Sequence, residues 1–152
     1  MCTRLLAAGV LGALLGLERE RRHRPAGLRT YMLTALAAAL LAIITTEIGL
    51  SLTVDDKVVA DPIRIISAVT SGVAFLAAGT IISQGGRVVG LTTGAGMWMA
   101  GAIGVACGFG YYPAAAVTAA ITLVVLGGLR WFEHRTDTDD GREENAETPE
   151  KA

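Results

Sequence analysis

Five long apolar stretches constrain the fold of this chain more than any other feature. They lie at about residues 2–17, 28–50, 63–83, 91–110 and 112–129, and most charged residues lie between them. About 20 apolar residues form a helix that crosses the roughly 30 Å hydrocarbon core of a bilayer. A segment inside the bilayer must satisfy its own backbone, and the strict alternation of a membrane barrel is missing. The sequence therefore predicts an all-α integral membrane protein, a bundle of about five transmembrane helices.

The charge distribution divides the chain into two parts. Residues 1–135 carry 11 Lys/Arg and 7 Asp/Glu, whereas residues 136–152 carry 2 and 7. The last segment has no apolar periodicity, which is typical of disorder. We therefore expect a transmembrane domain over 1–135 and an acidic, disordered cytoplasmic tail over 136–152.

The basic residues also predict the orientation in the membrane. With five spans, the 1–2 loop, the 3–4 loop and the tail share one side and hold ten of the thirteen Lys/Arg. Because cytoplasmic loops carry the excess of Lys/Arg, the N-terminus should be outside and the C-terminus cytoplasmic. Tyrosine and tryptophan prefer membrane interfaces, and the aromatic residues predicted there are Tyr31, Tyr111, Tyr112, Trp131 and Phe132.

The loop between the first two spans contains a conflict that an ion pair would remove. Glu18 lies at the C-terminal end of helix 1 and Arg29 at the N-terminal end of helix 2, so each opposes its own helix dipole. Pairing of Glu18 with Arg29 across the Pro-Ala-Gly turn would satisfy both. Alternatively, the arginines of this loop only set the topology and contact lipid phosphates.

The start of the third span is a candidate cation site. Asp61 is a good N-cap, and Pro62 is a good first helical residue. Arg64 needs an anionic partner, and Asp61 is three residues away. Asp55 and Asp56 lie nearby, and Mg²⁺ keeps most of its waters and needs only one or two carboxylates. Asp61 is therefore a tentative metal ligand, with helix capping as the simpler interpretation.

The segment before the fourth span carries a glycine pattern without the rest of a phosphate-binding loop. Gly85 and Gly90 are spaced as in a P-loop, but Leu91 stands at the lysine position. The segment alone therefore argues against phosphate binding. A tight turn followed by capping of helix 4 by threonine is the expected structure.

Small residues recur at helical spacing in three spans. Such residues let transmembrane helices approach closely, whether the partner is in the same chain or in another copy. Ser67, Ser71 and Gly72 lie along helix 3. The candidate packing positions in helices 1 and 4 are Gly12, Gly16, Gly96, Ala100, Gly104 and Gly108.

The sequence carries no pattern that is typical of an enzyme. The middle of each span lacks an ionisable residue, which a proton-driven carrier usually has. His23 and His134 lie at membrane edges, and Cys2 and Cys107 are too few for a disulfide framework or a zinc site. We therefore expect neither catalysis nor a nucleic-acid partner.

Five short blocks resemble one family in their order and spacing. They are GLERE at 16–20, AGLRT at 26–30, DPIRI at 61–65, SGVAFLAAG at 71–79 and GLTT at 90–93, followed by Trp98. Together they resemble the MgtC/SapB family of bacterial inner-membrane proteins over about residues 4–130. The chain differs at Ala68, Ala74 and Ala77, and it has an acidic tail where some members have a C-terminal soluble domain.

The resemblance implies a multi-pass protein of the bacterial plasma membrane that is linked to Mg²⁺ limitation. It also implies action on other membrane proteins, F-type ATP synthase among them, in place of the Mg²⁺ transport once attributed to the family. The family-motif positions of this sequence are Glu18, Arg19, Glu20, Arg29, Thr30, Asp61, Arg64, Ser71, Gly72, Thr92, Thr93 and Trp98.

These observations predict a non-enzymatic regulator or adaptor in Mg²⁺ homeostasis. Its partners would be the lipid bilayer and another membrane protein or a second copy, contacted through the small residues of helices 1 and 4. The alternative is a small oligomeric cation transporter or channel for Mg²⁺, with Asp61 at its entrance.

Overall fold

A computed structural model describes residues 1–51, 62–84 and 87–143 of the chain. Within them five helices follow one another, with a short hairpin between the third and fourth. The elements are α1 (Cys2–Arg21), α2 (Leu28–Ser51), α3 (Pro62–Ala78), β1 (Ile82–Gln84), β2 (Arg87–Val89), α4 (Leu91–Gly108) and α5 (Tyr112–Glu143). The predicted all-helical class is confirmed for these residues, and β1 and β2 are an addition to it.

Helices α1 and α2 form a tightly packed antiparallel pair. A Cβ on Gly12 would lie 2.9 Å from the Tyr31 carbonyl oxygen, and one on Gly16 would lie 2.7 Å from the Leu28 Cα. Both distances are shorter than real Cβ contacts, so only glycine permits this approach. The small residues predicted for helix 1 therefore pack inside the chain, against α2.

Helix α4 lies at the centre of the bundle and contacts the other four helices. A Cβ on Gly104 would lie 2.9 Å from the Ala35 Cα, and one on Gly108 would lie 2.6 Å from the Ala39 carbonyl oxygen. Ala100 is fully buried between its neighbours. The small residues of α4 are thus covered by α2 of the same chain. This packing does not fit the expectation that they contact another membrane protein or a second copy.

Helix α3 packs against α4 and is followed by a turn and the hairpin. The helix ends at Ala78, where the Thr80 hydroxyl donates a hydrogen bond to the Ala77 carbonyl oxygen. Strands β1 and β2 then pair antiparallel, Ile82 opposite Val89. The sequence predicted a continuous span to residue 83 and a simple turn. The hairpin differs because the β-branched residues Ile82, Val88 and Val89 favour strands over helices, and the backbone groups then pair across the two strands.

Helix α5 continues to Glu143, although the sequence predicted disorder from residue 136. The backbone carries on because no proline interrupts residues 114–143, and extending an existing helix avoids the cost of nucleation. The remainder of the predicted tail, residues 144–152, lies outside the described residues.

Among the described residues, two helical segments are long and apolar enough to cross a membrane, Leu28–Gly49 and Leu91–Gly108. Ile63–Ala78 and Tyr112–Gly127 are apolar but shorter. The outward faces of the bundle carry many large apolar side chains, for example Phe75 at 80% exposure and Leu6 at 68%. Exposed apolar side chains in this number are typical of a surface that contacts lipid or other proteins.

Candidate functional site

Arg19 is the charged side chain that is buried among the described residues, with 3% of its surface exposed. It lies near the end of α1 and donates from Nη2 to the Thr92 carbonyl oxygen, 3.4 Å away in the first turn of α4. Its Nε is buried without a hydrogen-bond partner, 3.6 Å from the nearer carboxylate oxygen of Glu18. A buried guanidinium is costly unless its donors are satisfied, so this position calls for a specific reason.

Glu18 pairs with Arg22 one helical turn further along α1, and more distantly with Arg19. The predicted pair with Arg29 is replaced by these contacts, because a partner at i+4 is within reach on the same helix. Arg29 itself is exposed. The start of α2 is instead satisfied by Glu20, whose Oε2 accepts a hydrogen bond from the Leu28 backbone amide at 2.7 Å.

A backbone motif at the end of α1 turns the chain so that its arginines stay together. The backbone amide of Arg24 donates to the Arg19 carbonyl oxygen, and that of His23 donates to the Glu20 carbonyl oxygen. This is the hydrogen-bond pattern of a Schellman motif, with His23 at φ 51° in the left-handed position that usually holds glycine. The motif folds Arg24 back beside Arg19 and Arg22.

Tyr31 is fully buried beside this cluster, although the sequence predicted an interfacial aromatic residue. Its hydroxyl donates to the Thr93 carbonyl oxygen at 3.1 Å, so a hydrogen bond, not water, satisfies its polar atom. Gly96 makes room for the ring, because a Cβ there would collide with the Tyr31 hydroxyl. Tyr31 therefore links α2 to the start of α4.

Gly90 is the N-cap of helix α4, which has no side-chain cap. Gly90 has φ 91°, and a Cβ there would overlap the Thr80 carbonyl group, so this position requires glycine. The predicted capping by Thr92 or Thr93 is wrong, because both residues lie inside the helix. The first backbone amides of α4 thus lack a side-chain cap at the end of the bundle that holds Arg19.

A cavity of about 440 Å³ opens at this end, and we call it the basic cavity. It lies between the end of α1, the hairpin, the start of α4 and part of α5. Three arginines, the first turn of α4 and several apolar side chains share its wall. The lining residues are Arg19, Arg22, Arg24, Val88, Gly90, Leu91, Thr92, Thr93, Val125 and Leu126.

The structure brings only some of the family-motif residues together. Glu18, Arg19, Thr92 and Thr93 meet at or beside the basic cavity. Thr30 lies in the first turn of α2, where its carbonyl oxygen accepts a hydrogen bond from the Thr34 hydroxyl. Asp61, the tentative metal ligand, lies outside the described residues.

The motif residues of α3 lie on an exposed face of the bundle. Arg64, Ser71 and Gly72 are exposed, and a Cβ added to Gly72 would meet nothing within 4 Å. Trp98 of α4 is 43% exposed and lines a groove of about 170 Å³ between α3 and α4. These residues form a second region, and the groove there shares no lining residue with the basic cavity.

Sequence reasoning missed three polar residues that bond one helix to another, Arg4, Arg22 and Tyr31, and one that lines the basic cavity, Arg24. Arg22 and Arg24 were treated only as part of a charged loop, and Tyr31 as an interface residue. Arg4, near the start of α1, donates to the Gly108 carbonyl oxygen at 3.0 Å, where a cation complements the end of the α4 dipole. Arg22 follows Arg19 by three residues, about one helical turn, so its position near Arg19 was predictable from the sequence. The long-range partners of Arg4 and Tyr31 could be identified only from the fold.

The described residues contain no group of three or more His, Cys, Asp and Glu side chains that could hold a metal ion.

Comparison with known proteins gives the family. The model of the MgtC family matches residues 5–135. The chain belongs to the MgtC family.

Curated relatives agree with this membership. Protein MgtC of Brucella abortus is 40% identical over 126 residues, which are 83% of this chain and 50% of that protein. The "Putative magnesium transporter YhiD" of Escherichia coli is 37% identical over 123 residues, which are 81% of this chain and 57% of YhiD. Protein SapB of Bacillus subtilis is 32% identical over 133 residues, which are 87% of this chain and 57% of SapB. The chain thus spans about half the length of these relatives. No solved structure matches it.

Proposed function

We propose that this protein is a non-enzymatic regulator or adaptor of other membrane proteins in Mg²⁺-linked physiology. It would lie in the bacterial inner membrane as a multi-pass protein, with the basic end of the bundle in the cytoplasm. Here the basic end means the end that holds the basic cavity. Membership of the MgtC family and the magnesium named in the description of YhiD support the link to Mg²⁺.

The observation that favours regulation over cation transport is the charge at the basic cavity. Arg19, Arg22 and Arg24 line the cavity and Glu18 offsets one of their charges, so the remaining positive charge would repel Mg²⁺. Close contacts at Gly104 and Gly108 also leave no space for a hydrated ion between α2 and α4.

The contact with a partner helix would lie on α3, since the small residues of α1 and α4 pack against α2. Ser71 and Gly72 are small family-motif residues, and both are exposed. Small residues on an outward face of a membrane helix allow another helix to approach closely. The open space at Gly72 is consistent with a contact that forms only with a second polypeptide.

Crosslinking in living cells tests this proposal. A photoreactive side chain placed at Ser71 should crosslink to another membrane protein, and Gly72→Leu should abolish the adduct because it fills the contact. Val117→Leu, at an exposed position of α5, is the matched control and should leave the adduct unchanged. An adduct that survives Gly72→Leu at normal protein level would contradict the proposed contact.

The alternative, a Mg²⁺ transporter, makes a different prediction. Purified protein in proteoliposomes would carry Mg²⁺, and Asp61→Asn would reduce that flux without lowering the amount of inserted protein. The regulator proposal expects no flux above that of protein-free liposomes. Flux that depends on Asp61 would replace regulation by transport as the function.

A further inference from the structure

The basic cavity combines charge and geometry that suit an anion. Arg19, Arg22 and Arg24 line it, and Glu18 is the carboxylate that pairs with two of them. Counting these four side chains leaves an excess of two positive charges. The first turn of α4 faces the same space, and the positive end of its dipole adds to the arginines.

Two donor groups at the cavity lack the partners that the protein usually supplies. The Arg19 side chain is only 4% exposed, and its Nε makes no hydrogen bond but lies 3.6 Å from the Glu18 carboxylate, at ion-pair distance. Helix α4, which spans 18 residues, has Gly90 as its N-cap and no side-chain cap. The uncapped helix start and the arginines beside it therefore present donors to an acceptor in the cavity.

Arg19 and Arg22 are held in place by bonds that leave some of their donors free for a ligand. Arg19 Nη2 donates to the Thr92 carbonyl oxygen, and Arg22 Nη2 donates to the Gly127 carbonyl oxygen at 3.4 Å. A guanidinium carries five N–H donors, so each of these bonds uses a fraction of the available set. The side chains are thereby positioned before a ligand binds, which reduces the ordering cost.

We propose that the basic cavity binds a phosphate group. Several arginines and a helix N-terminus match the tetrahedral oxygens and the charge of phosphate better than those of a planar carboxylate. The P-loop comparison failed because residues 85–93 contain no lysine, but the fold brings three cations from α1 and its following turn to the start of α4. The site is independent of whether the protein regulates or transports.

The phosphate group can come from two sources, a lipid headgroup or a soluble phosphate. Val88, Val125 and Leu126 give one part of the cavity an apolar wall. Such a wall suits a phospholipid, which joins its phosphate to apolar chains, at the edge of a membrane. Free phosphate would use only the arginines and the start of α4.

Two probes separate these sources. Detergent-solubilised protein, freed of lipid, would be titrated with inorganic phosphate or with short-chain phosphatidylglycerol, at an ionic strength held constant with chloride. Thermal unfolding and titration calorimetry would report binding, because a ligand that binds only the folded state raises its stability. Arg22→Gln/Arg24→Gln is the test variant, since both side chains are exposed and their loss spares the buried Arg19. Arg29→Gln, an exposed arginine outside the lining, is the matched control.

We expect at least one probe to bind the unmodified protein, and the double variant to bind it at least about tenfold more weakly, since lost charge-assisted bonds have this magnitude. Arg29→Gln should bind as tightly as the unmodified protein. Binding of phosphatidylglycerol alone would identify a lipid headgroup, and binding of inorganic phosphate would identify a soluble source. The proposal is overturned if neither probe binds above the chloride reference, or if the double variant and the Arg29 control bind equally.

Discussion

The contact between α2 and α4 gives a quantitative test of the packing, because the three atoms nearest to a Cβ added at Gly104 all belong to the backbone of Ala35. A Cβ on Gly104 would lie 2.9 Å from both the carbonyl carbon and the Cα of Ala35, and closer still to the carbonyl oxygen. Ordinary contact begins near 3.4 Å, so Gly104→Ala must separate the helices by more than the roughly 0.5 Å that the two carbon atoms alone require. Overpacking of this kind costs about 1–3 kcal/mol.

Gly72→Ala is the matched control for that substitution. Gly72 also lies within a helix, but an added Cβ would meet nothing within 4 Å. Alanine in place of glycine favours a helix by about 0.5–1 kcal/mol, and both variants receive this gain. We therefore expect Gly104→Ala to lower the free energy of unfolding by about 1–2 kcal/mol and Gly72→Ala to raise it slightly.

The measurement is reversible unfolding of the purified protein in mixed micelles of increasing SDS fraction, followed by far-UV circular dichroism. The difference between the two variants, not either value alone, tests the close contact, since the change in helix propensity is common to both. Equal stability of the Gly104 and Gly72 variants would refute the inference that α2 and α4 meet backbone to backbone at this level.

Three further predictions concern single groups. Tyr31→Phe keeps the ring but removes the hydrogen bond to the Thr93 carbonyl oxygen, so the same unfolding assay should show a loss of about 1 kcal/mol; an unchanged stability would mean that the bond contributes nothing. His23→Gly should stabilise the protein by about 0.5–1 kcal/mol, because glycine adopts the left-handed conformation at φ 51° without strain, and a lower unfolding midpoint would contradict this. Cys2 is exposed and Cys107 is fully buried, so a water-soluble maleimide should label the first thiol quickly and the second only after unfolding; equal labelling rates in the folded protein would be inconsistent with the packing around α4.

The helical class was predictable because each apolar stretch is a local property of the sequence. Gly12 and Gly16 were identified as packing residues from spacing alone, and they do lie at a helix contact. Spacing cannot say which helix fills the groove, since any helix of suitable shape satisfies the same pattern. The assignment of the α4 ridge to α2 therefore needed the three-dimensional structure.

The basic cavity was not predictable for a related reason. Arg19 was selected through the family motif, but its contact with Thr92 joins residues far apart in the chain. The loop of arginines looked like a topology signal because charge composition carries no information on burial. The Glu18 contact shows the opposite limit. Arg29 was predicted as its partner, but Arg22 at i+4 is within reach of Glu18 without any contact across the turn, and the pair forms there.

The two arginines of α1 that bond to α4 fix the relative lengths of these antiparallel helices. Arg4 bonds to Gly108 and Arg19 bonds to Thr92, so the distances between the two attachment points must agree on both helices. At 1.5 Å per residue these distances are about 22 Å along α1 and about 24 Å along α4. Inserting or deleting one residue between the attachment points of either helix would turn the rest of that helix by about 100° and carry one arginine away from its carbonyl oxygen. Tolerated length changes should therefore fall outside these two segments, or occur in both of them together.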